Sequence, residues 1–183
     1  FTESNYTYFN KKTLITGSDY SILCKNGFYD TYNQKGFFRE NAVINYDGKI
    51  IYGDSISFEK EKSYASASYN VKINDTINNS IITGHYGEIF KEKDSAIITR
   101  NALAVNIIKN DSLYIHSDTI TIIGPDENKI LKGYYDVRIL KSDVRGLSDS
   151  IHFNQKTGLI KLLKKPKKSK YLKSLTDEEK NQL

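Results

Sequence analysis

The amino-acid sequence predicts an all-β fold built from repeats, and three observations support this. Only 38% of the 183 residues are hydrophobic, yet the chain contains 14 tyrosines and 8 phenylalanines. A lean apolar content with many aromatic and β-branched residues is typical of strands that bury one face and solvate the other. Apolar and polar residues alternate over short stretches, and these stretches recur at a regular interval, which indicates a repeat of about thirty-two residues.

The first recurring phrase is an aspartate followed by apolar residues at alternate positions. Its copies are Asp19–Leu23, Asp54–Phe58, Asp118–Ile122 and Asp149–Phe153, with a degenerate copy at Tyr86–Phe90. The last residues of these copies are spaced 31 to 35 residues apart. Because each aspartate stands just ahead of the apolar residues, we interpret it as a turn or strand-entry residue.

A second phrase lies between these copies and consists of Asn or Asp before alternating aliphatic residues. It occurs at 41–44, 70–73, 101–105 and 136–139. Turn-forming residues separate the segments at 45–48, 78–80, 109–112, 124–126 and 155–158. An ordinary sandwich or barrel also has short strands with regular turns, but the constant order of the two phrases favours a stacked or rolled repeat.

The last twenty or so residues differ in composition from the rest of the chain. Residues 164–183 contain seven lysines against three carboxylates, whereas the net charge of the whole chain is +5. The body is therefore close to neutral, and a nucleic-acid-binding face is not expected. We predict a β domain at 1–163 and a Lys-rich tail or linker at 164–183. A short helix is possible there, since Thr176 and Glu179 fit a capping box.

Catalytic and metal-binding constellations are not predicted. The three histidines, His85, His116 and His152, occupy different phases of the repeat, so they do not suggest a shared metal site. The repeated aspartates are a whole repeat apart, which favours a structural role over a glycosidase pair. Cys24 is the sole cysteine and is expected to be a buried or unreactive thiol. The sequence therefore predicts no enzyme activity, no cofactor and no metal.

The two phrases resemble those of the OstA-like family, the periplasmic lipopolysaccharide-transport proteins also called the LptA family. The resemblance covers roughly residues 14–163; Tyr52–Phe58 is the clearest match, and 111–120 and 135–153 resemble the versions found in Bacteroidetes. It implies an incompletely closed β-jellyroll of two facing antiparallel sheets with lipopolysaccharide acyl chains between them. It also implies a periplasmic location, other bridge components as partners through edge strands, and head-to-tail homo-oligomers. The copy at 86–90 departs from the pattern by lacking its aspartate.

If the sheets enclose lipid, the apolar residues that share one strand face form the binding site. The predicted lipid-binding residues are Ile56, Phe58, Val71, Ile73, Phe90, Leu103, Val105, Ile107, Ile120, Ile122, Val137, Ile139, Ile151 and Phe153. Their polar neighbours, among them Asn106, are expected to face solvent. A packed core explains the same alternation, and the family resemblance is what favours a lipid site. The alternative function is a surface β-repeat module that binds polysaccharide or protein on its outer face.

Overall fold

The computed structural model describes residues 5–18, 20–46, 48–108, 111–142 and 144–163, and its strands form one antiparallel sheet of thirteen strands. The strands are β1 (Tyr6–Phe9), β2 (Thr13–Thr16), β3 (Tyr20–Cys24), β4 (Asn26–Asp30), β5 (Lys35–Tyr46), β6 (Lys49–Glu59), β7 (Tyr64–Asp75), β8 (Ser80–Phe90), β9 (Ser95–Ile108), β10 (Asp111–Ile123), β11 (Ile130–Lys141), β12 (Val144–Asn154) and β13 (Ile160–Leu163). The prediction of an all-β fold is confirmed. The predicted tail helix lies outside the described residues, as does Asp19.

The strands from β4 to β13 pair in sequence order, and β1 extends the sheet beyond β4. The short strand β3 pairs with β2 and also with β5, alongside β4. The predicted turns at 78–80, 124–126 and 155–158 connect consecutive strands, as expected. Those at 45–48 and 109–112 contain residues outside the described ones. Two 3₁₀ turns, Lys91–Lys93 and Asp126–Asn128, interrupt the β structure.

None of the helical segments in the described part of the chain is long and apolar enough to cross a membrane.

Several long strands bend at a pair of residues in the left-handed conformation. These pairs are Glu40–Asn41, Tyr69–Asn70, Arg100–Asn101 and Tyr135–Asp136, with φ between 49° and 66°. The register with the neighbouring strand shifts at each pair. Asn and Asp tolerate this conformation better than most residues. The Asn or Asp of the second phrase therefore marks a corner within a strand.

The repeated aspartates also lie at this corner, so their interpretation as turn or strand-entry residues is wrong. Asp54, Asp118 and Asp149 lie inside β6, β10 and β12, where the register with neighbouring strands shifts. Asn70 Nδ2 donates a hydrogen bond of 2.9 Å to Asp54 Oδ2 across the corner. The phrase covers only the half of each strand that follows the bend, which is why it looked like a strand start.

The bends fold the sheet over, so that its two halves contact each other. Tyr20 pairs with Tyr46 at one end of β5, and Phe58 pairs with Gly36 at the other end. On a straight strand these positions would lie about 33 Å apart, yet the rings of Tyr20 and Phe58 have centroids 5.9 Å apart. Where two facing antiparallel sheets were expected, the structure has one continuous sheet folded over, because each bulge lets its strand continue round the corner.

Small side chains line the inner side of the corner, where the two halves converge. Each strand from β5 to β12 has one inward-facing, buried residue next to its register shift. These residues are Ala42, Gly53, Val71, Gly84, Ala102, Ser117, Val137 and Ser148. A Cβ atom added at Gly84 would lie 2.5 Å from Ile98 Cγ2 on the other side of the bend. Larger side chains at this row would therefore force the halves apart.

The corner conformation predicts a stability effect at Asn41, whose φ is 61° and whose side chain is exposed. Asn41→Val should lower the free energy of unfolding by about 1–2 kcal/mol, because a β-branched residue is strained in the left-handed region. Asn41→Gly is the matched control and should leave stability almost unchanged. Urea unfolding of the two variants checks this, and equal midpoints for Val and Gly would contradict it.

Candidate functional site

The interior of the folded sheet contains an open cleft near the strands that come first in the sequence. Its first cavity has a volume of about 220 Å³ and its second about 260 Å³. Both are lined by Tyr20 and Ile22, so the two cavities adjoin at these side chains. Gly17 allows this arrangement, because a Cβ atom at that position would lie 2.3 Å from the Tyr20 ring.

The walls of the first cavity come from both halves of the folded sheet. The half that contains the end of β5 contributes Ile22, Ile44, Tyr46 and Ile51, together with Tyr20. The opposite half contributes Phe58, Ser63, Tyr64, Ala65 and Ile89, with Lys60 and Lys91 at the same end of the strands. Alternation along each strand turns these mostly apolar side chains inward. The result is a mostly apolar cleft with two cationic side chains at one side.

A buried ion cluster marks the end of the cleft. Lys129 Nζ lies 2.9 Å from Asp75 Oδ2 and also contacts Asp126, whose Oδ1 lies 3.3 Å from Lys49 Nζ. Asp75 and Lys129 are each 5% exposed. Lys49 begins β6, the strand that supplies Ile51 to the cavity, so the cluster adjoins the cleft.

Hydrogen bonds keep this cluster charged despite its burial. Burial alone would raise the pKa of Asp75, but bonds from the Asn78 backbone N–H and from Lys129 outweigh it and hold that pKa below its ordinary value. Burial likewise opposes the charge on Lys129, but its bonds to Asp126 and Asp75 raise the lysine pKa above its ordinary value. The two halves of the sheet are therefore joined here by a persistent ion pair.

The interior of the sheet at β9 to β12 is apolar and buried. The inward side chains of β9 to β12 include Ile98, Ile115, Ile120, Ile151 and Phe153, each at most 1% exposed. Side chains from these strands do not contribute to either cavity. The apolar face thus lines two cavities near the first strands and is buried at β9 to β12.

The predicted lipid-binding residues divide into three groups. Phe58 lines the first cavity. The residues that face the interior and lie in the buried core are Ile56, Val71, Ile73, Ile120, Ile122, Val137, Ile151 and Phe153, and the partly buried Ile139 packs against it. The remaining four, Phe90, Leu103, Val105 and Ile107, do not lie in the core or line either cavity.

The placement of Leu103, Val105 and Ile107 on the interior face is wrong. The structure instead buries Ala102, Ala104 and Asn106, which alternate with them along β9, and leaves Ile107 48% exposed. Asn106, expected to face solvent, is 5% exposed.

The sequence did contain a signal for which residues of β9 face the interior. In each copy of the second phrase the residue directly after the left-handed Asn or Asp faces inward, and in β9 that residue is Ala102.

The prediction that Phe90 faces the interior is displaced by one position, because Ile89 takes that place. Its neighbour Ile89 pairs with Ala65 and Ala96 and lines the first cavity, whereas the Phe90 ring packs on Tyr64 with centroids 5.2 Å apart. The degenerate phrase at 86–90 lacks the aspartate that fixes the register in the other copies.

Several cavity residues were absent from the predicted set, namely Tyr20, Ile22, Ile44, Ile51, Ala65 and Ile89. The phrase around Ile22 carried a usable signal, because Asp19–Leu23 is a copy of the first phrase. The positions of Lys60 and Lys91 had no sequence signal. Cys24 is buried, as expected, and burial raises the pKa of its thiol.

No family model matches this sequence, and no curated protein matches it. Among solved structures, the fold is similar to that of LptH, the LptA-homologous periplasmic component of the lipopolysaccharide transport device of Pseudomonas aeruginosa. The match has a TM-score of 0.57 at 10% sequence identity and covers 70% of this chain and 89% of that one. At this identity the likeness is one of fold alone. The chain therefore has an LptA-like, all-β fold with an open interior cleft.

Proposed function

We propose that this chain binds the acyl chains of lipopolysaccharide in the cleft and helps to carry the lipid across the periplasm to the outer membrane, without catalysing a reaction. The observation that carries the proposal is the apolar cleft between the two halves of an LptA-like sheet. Phe58 and Ile89 line the cleft and are only half-buried, so they leave apolar surface that a ligand can cover. Each CH₂ group that is enclosed contributes about 0.8 kcal/mol.

The proposal includes partners that bind at the edges of the sheet. The sheet does not close on itself in the described part of the chain, and it ends at β1 and β2 on one side and at β13 on the other. Tyr8 is 67% exposed on β1, and Leu162 is 46% exposed on β13. Unpaired edge strands accept further strands through main-chain hydrogen bonds. Other components of a transport bridge, or further copies of this chain in head-to-tail order, are the proposed partners.

The test is to extract purified protein with organic solvent and to measure lipid A species by mass spectrometry. Ile89→Arg should lower the amount of bound lipid at least tenfold, since the guanidinium would occupy the first cavity. Ile81→Arg is the matched control, because Ile81 is also half-buried on β8 but faces outward opposite Asn74 and Val105. Both variants should melt cooperatively. Equal lipid content in the two variants, or none in the wild type, would contradict the proposal.

One observation favours the alternative function, polysaccharide binding on the outer face. A row of hydroxyl-bearing residues crosses adjacent strands from β6 to β12, each directly paired with the next: Ser55, Ser68, Tyr86, Thr99, Thr119, Tyr134 and Ser150. Hydroxyl groups both donate to and accept from sugar hydroxyls. Polysaccharide binding that persists in Ile89→Arg would support this alternative, while lipid binding lost in that variant supports the first.

A further inference from the structure

We infer that the cleft prefers amphiphiles with an anionic head group, which binds Lys60 and Lys91 while the tail lies in the first cavity. This inference rests on the proposed lipid-binding function and adds the orientation and head-group charge of the ligand. Both lysines line the cavity, although their residues are exposed. They lie on neighbouring loops, after β6 and after β8, at one end of the cleft.

Main-chain hydrogen bonds fix the backbone of both lysines. The Lys60 N–H donates to the carbonyl oxygen of Gln34 at 3.0 Å, and the Lys91 N–H donates to that of Ser63 at 2.9 Å. Ser63 also lines the cavity, and its N–H donates to the Lys60 carbonyl oxygen. The loops that present the two ammonium groups are therefore tied to each other and to the sheet.

The two lysines that line the cavity are not held in ion pairs among the described residues. The nearby Lys35 and Lys62 form ion pairs with Glu59 at 3.2 and 2.8 Å. Lys60 and Lys91, in contrast, have no ion-pair partner among the described residues. Among the residues that line the first cavity, the charged ones are these two lysines. A bound carboxylate or phosphate can therefore pair with both ammonium groups.

Lys91 reaches across to the opposite half of the sheet. Its Nζ lies 4.3 Å from the ring centroid of Tyr46, which places the ammonium group over an aromatic face. An ammonium group has three N–H donors, so this contact leaves donors free for an anion. The apolar side chains of Ile51, Phe58 and Ile89 line the same cavity. The charged and apolar parts of the site thus match the head and tail of one amphiphile.

The tail has a defined path from this point. It runs from the lysines over Phe58 to the ring of Tyr20, where the second cavity begins. The second cavity is lined by Phe9, Leu14, Ile15 and further mainly apolar residues, with no charged residue among them. A head group therefore has one favourable position, at Lys60 and Lys91, and the tail points away from it.

The test compares dodecyl phosphate, a neutral monoacylglycerol of the same chain length, and inorganic phosphate as ligands of the intact chain, by calorimetry below micelle formation. The variants are the double substitution Lys60→Gln with Lys91→Gln and the control Lys72→Gln. Lys72 also lies over a tyrosine, 5.8 Å from the Tyr52 ring centroid, but does not line either cavity.

Wild type and the Lys72 variant should bind dodecyl phosphate about tenfold or more tightly than the neutral lipid, and salt should weaken this preference. The double variant should bind both lipids equally, and inorganic phosphate alone should not bind detectably. Equal binding of the two lipids by wild type, or an unchanged preference in the double variant, would overturn the inference and leave lipid binding in place. Inorganic phosphate that binds as tightly as dodecyl phosphate would overturn it too, since the tail would then have no role. If neither lipid binds, the proposed function itself fails.

Discussion

Lys129→Met should lower the free energy of unfolding by about 3–5 kcal/mol, the largest effect that we expect from a single substitution outside the apolar core. Removing the ammonium group leaves the buried Asp75 carboxylate without its charged partner at 2.9 Å. The double variant Lys129→Met with Asp75→Asn should recover part of the loss, because the stranded charge is then gone. Lys62→Met is the matched control and should change stability little, since Lys62 is exposed and Glu59 keeps Lys35 as a partner. Chemical denaturation measures all three variants.

The same cluster predicts how stability depends on pH. The folded pKa of Asp75 lies below its ordinary value of 3.8, so its stabilising contribution is complete above that pH and is lost as the pH falls further. The folded pKa of Lys129 lies above its ordinary value of 10.5, so its contribution is complete below that pH and is lost as the pH rises further. Wild type should therefore lose stability at both extremes, and the double variant should lose less. Parallel pH profiles for the two proteins would contradict this role of the cluster.

Ile122→Ala should cost about 2–5 kcal/mol of stability, as expected for a close-packed site. Ile122 is 9% exposed and pairs with Ala96 and Leu131 in the inward row of the sheet. Ile89→Ala is the comparison, because Ile89 lies in the same row, also pairs with Ala96, and lines the first cavity. Its substitution should cost clearly less, since the removed atoms have fewer protein neighbours.

The sequence-based expectation was the reverse for Ile122, which we predicted to line an open cleft. Ile122 is buried and does not line either cavity, and Val105, which was expected to share its face, points outward. Thermal melting together with lipid affinity for both variants decides the matter. If Ile122→Ala keeps its stability and loses lipid while Ile89→Ala does the reverse, the lipid lies beside Ile122 and not in the first cavity.

The sequence by itself determined the class of fold and most positions of its turns, because these depend on local periodicity. Period 2 requires strands, and the Asn or Asp at 41, 70, 101 and 136 marked the sites where the chain takes the left-handed conformation. The inward phase was also readable in most strands, as at Ile56, Val71 and Val137. The prediction of inward-facing residues failed in β9. There we chose the bulky Leu103 and Val105, whereas the corner requires the small Ala102.

The tertiary structure alone decided where the interior is open and where it is packed. Alternation assigns a residue to a face, but it does not say which part of the opposite half that face will meet after the sheet has folded over. Asp75 and Lys129 are separated by 54 positions in the chain, and no local pattern relates them. Their contact joins the two halves of the folded sheet. Lys60 and Lys91 are likewise ordinary surface lysines in sequence, and they become a possible anion site because the fold places both beside the same apolar cavity.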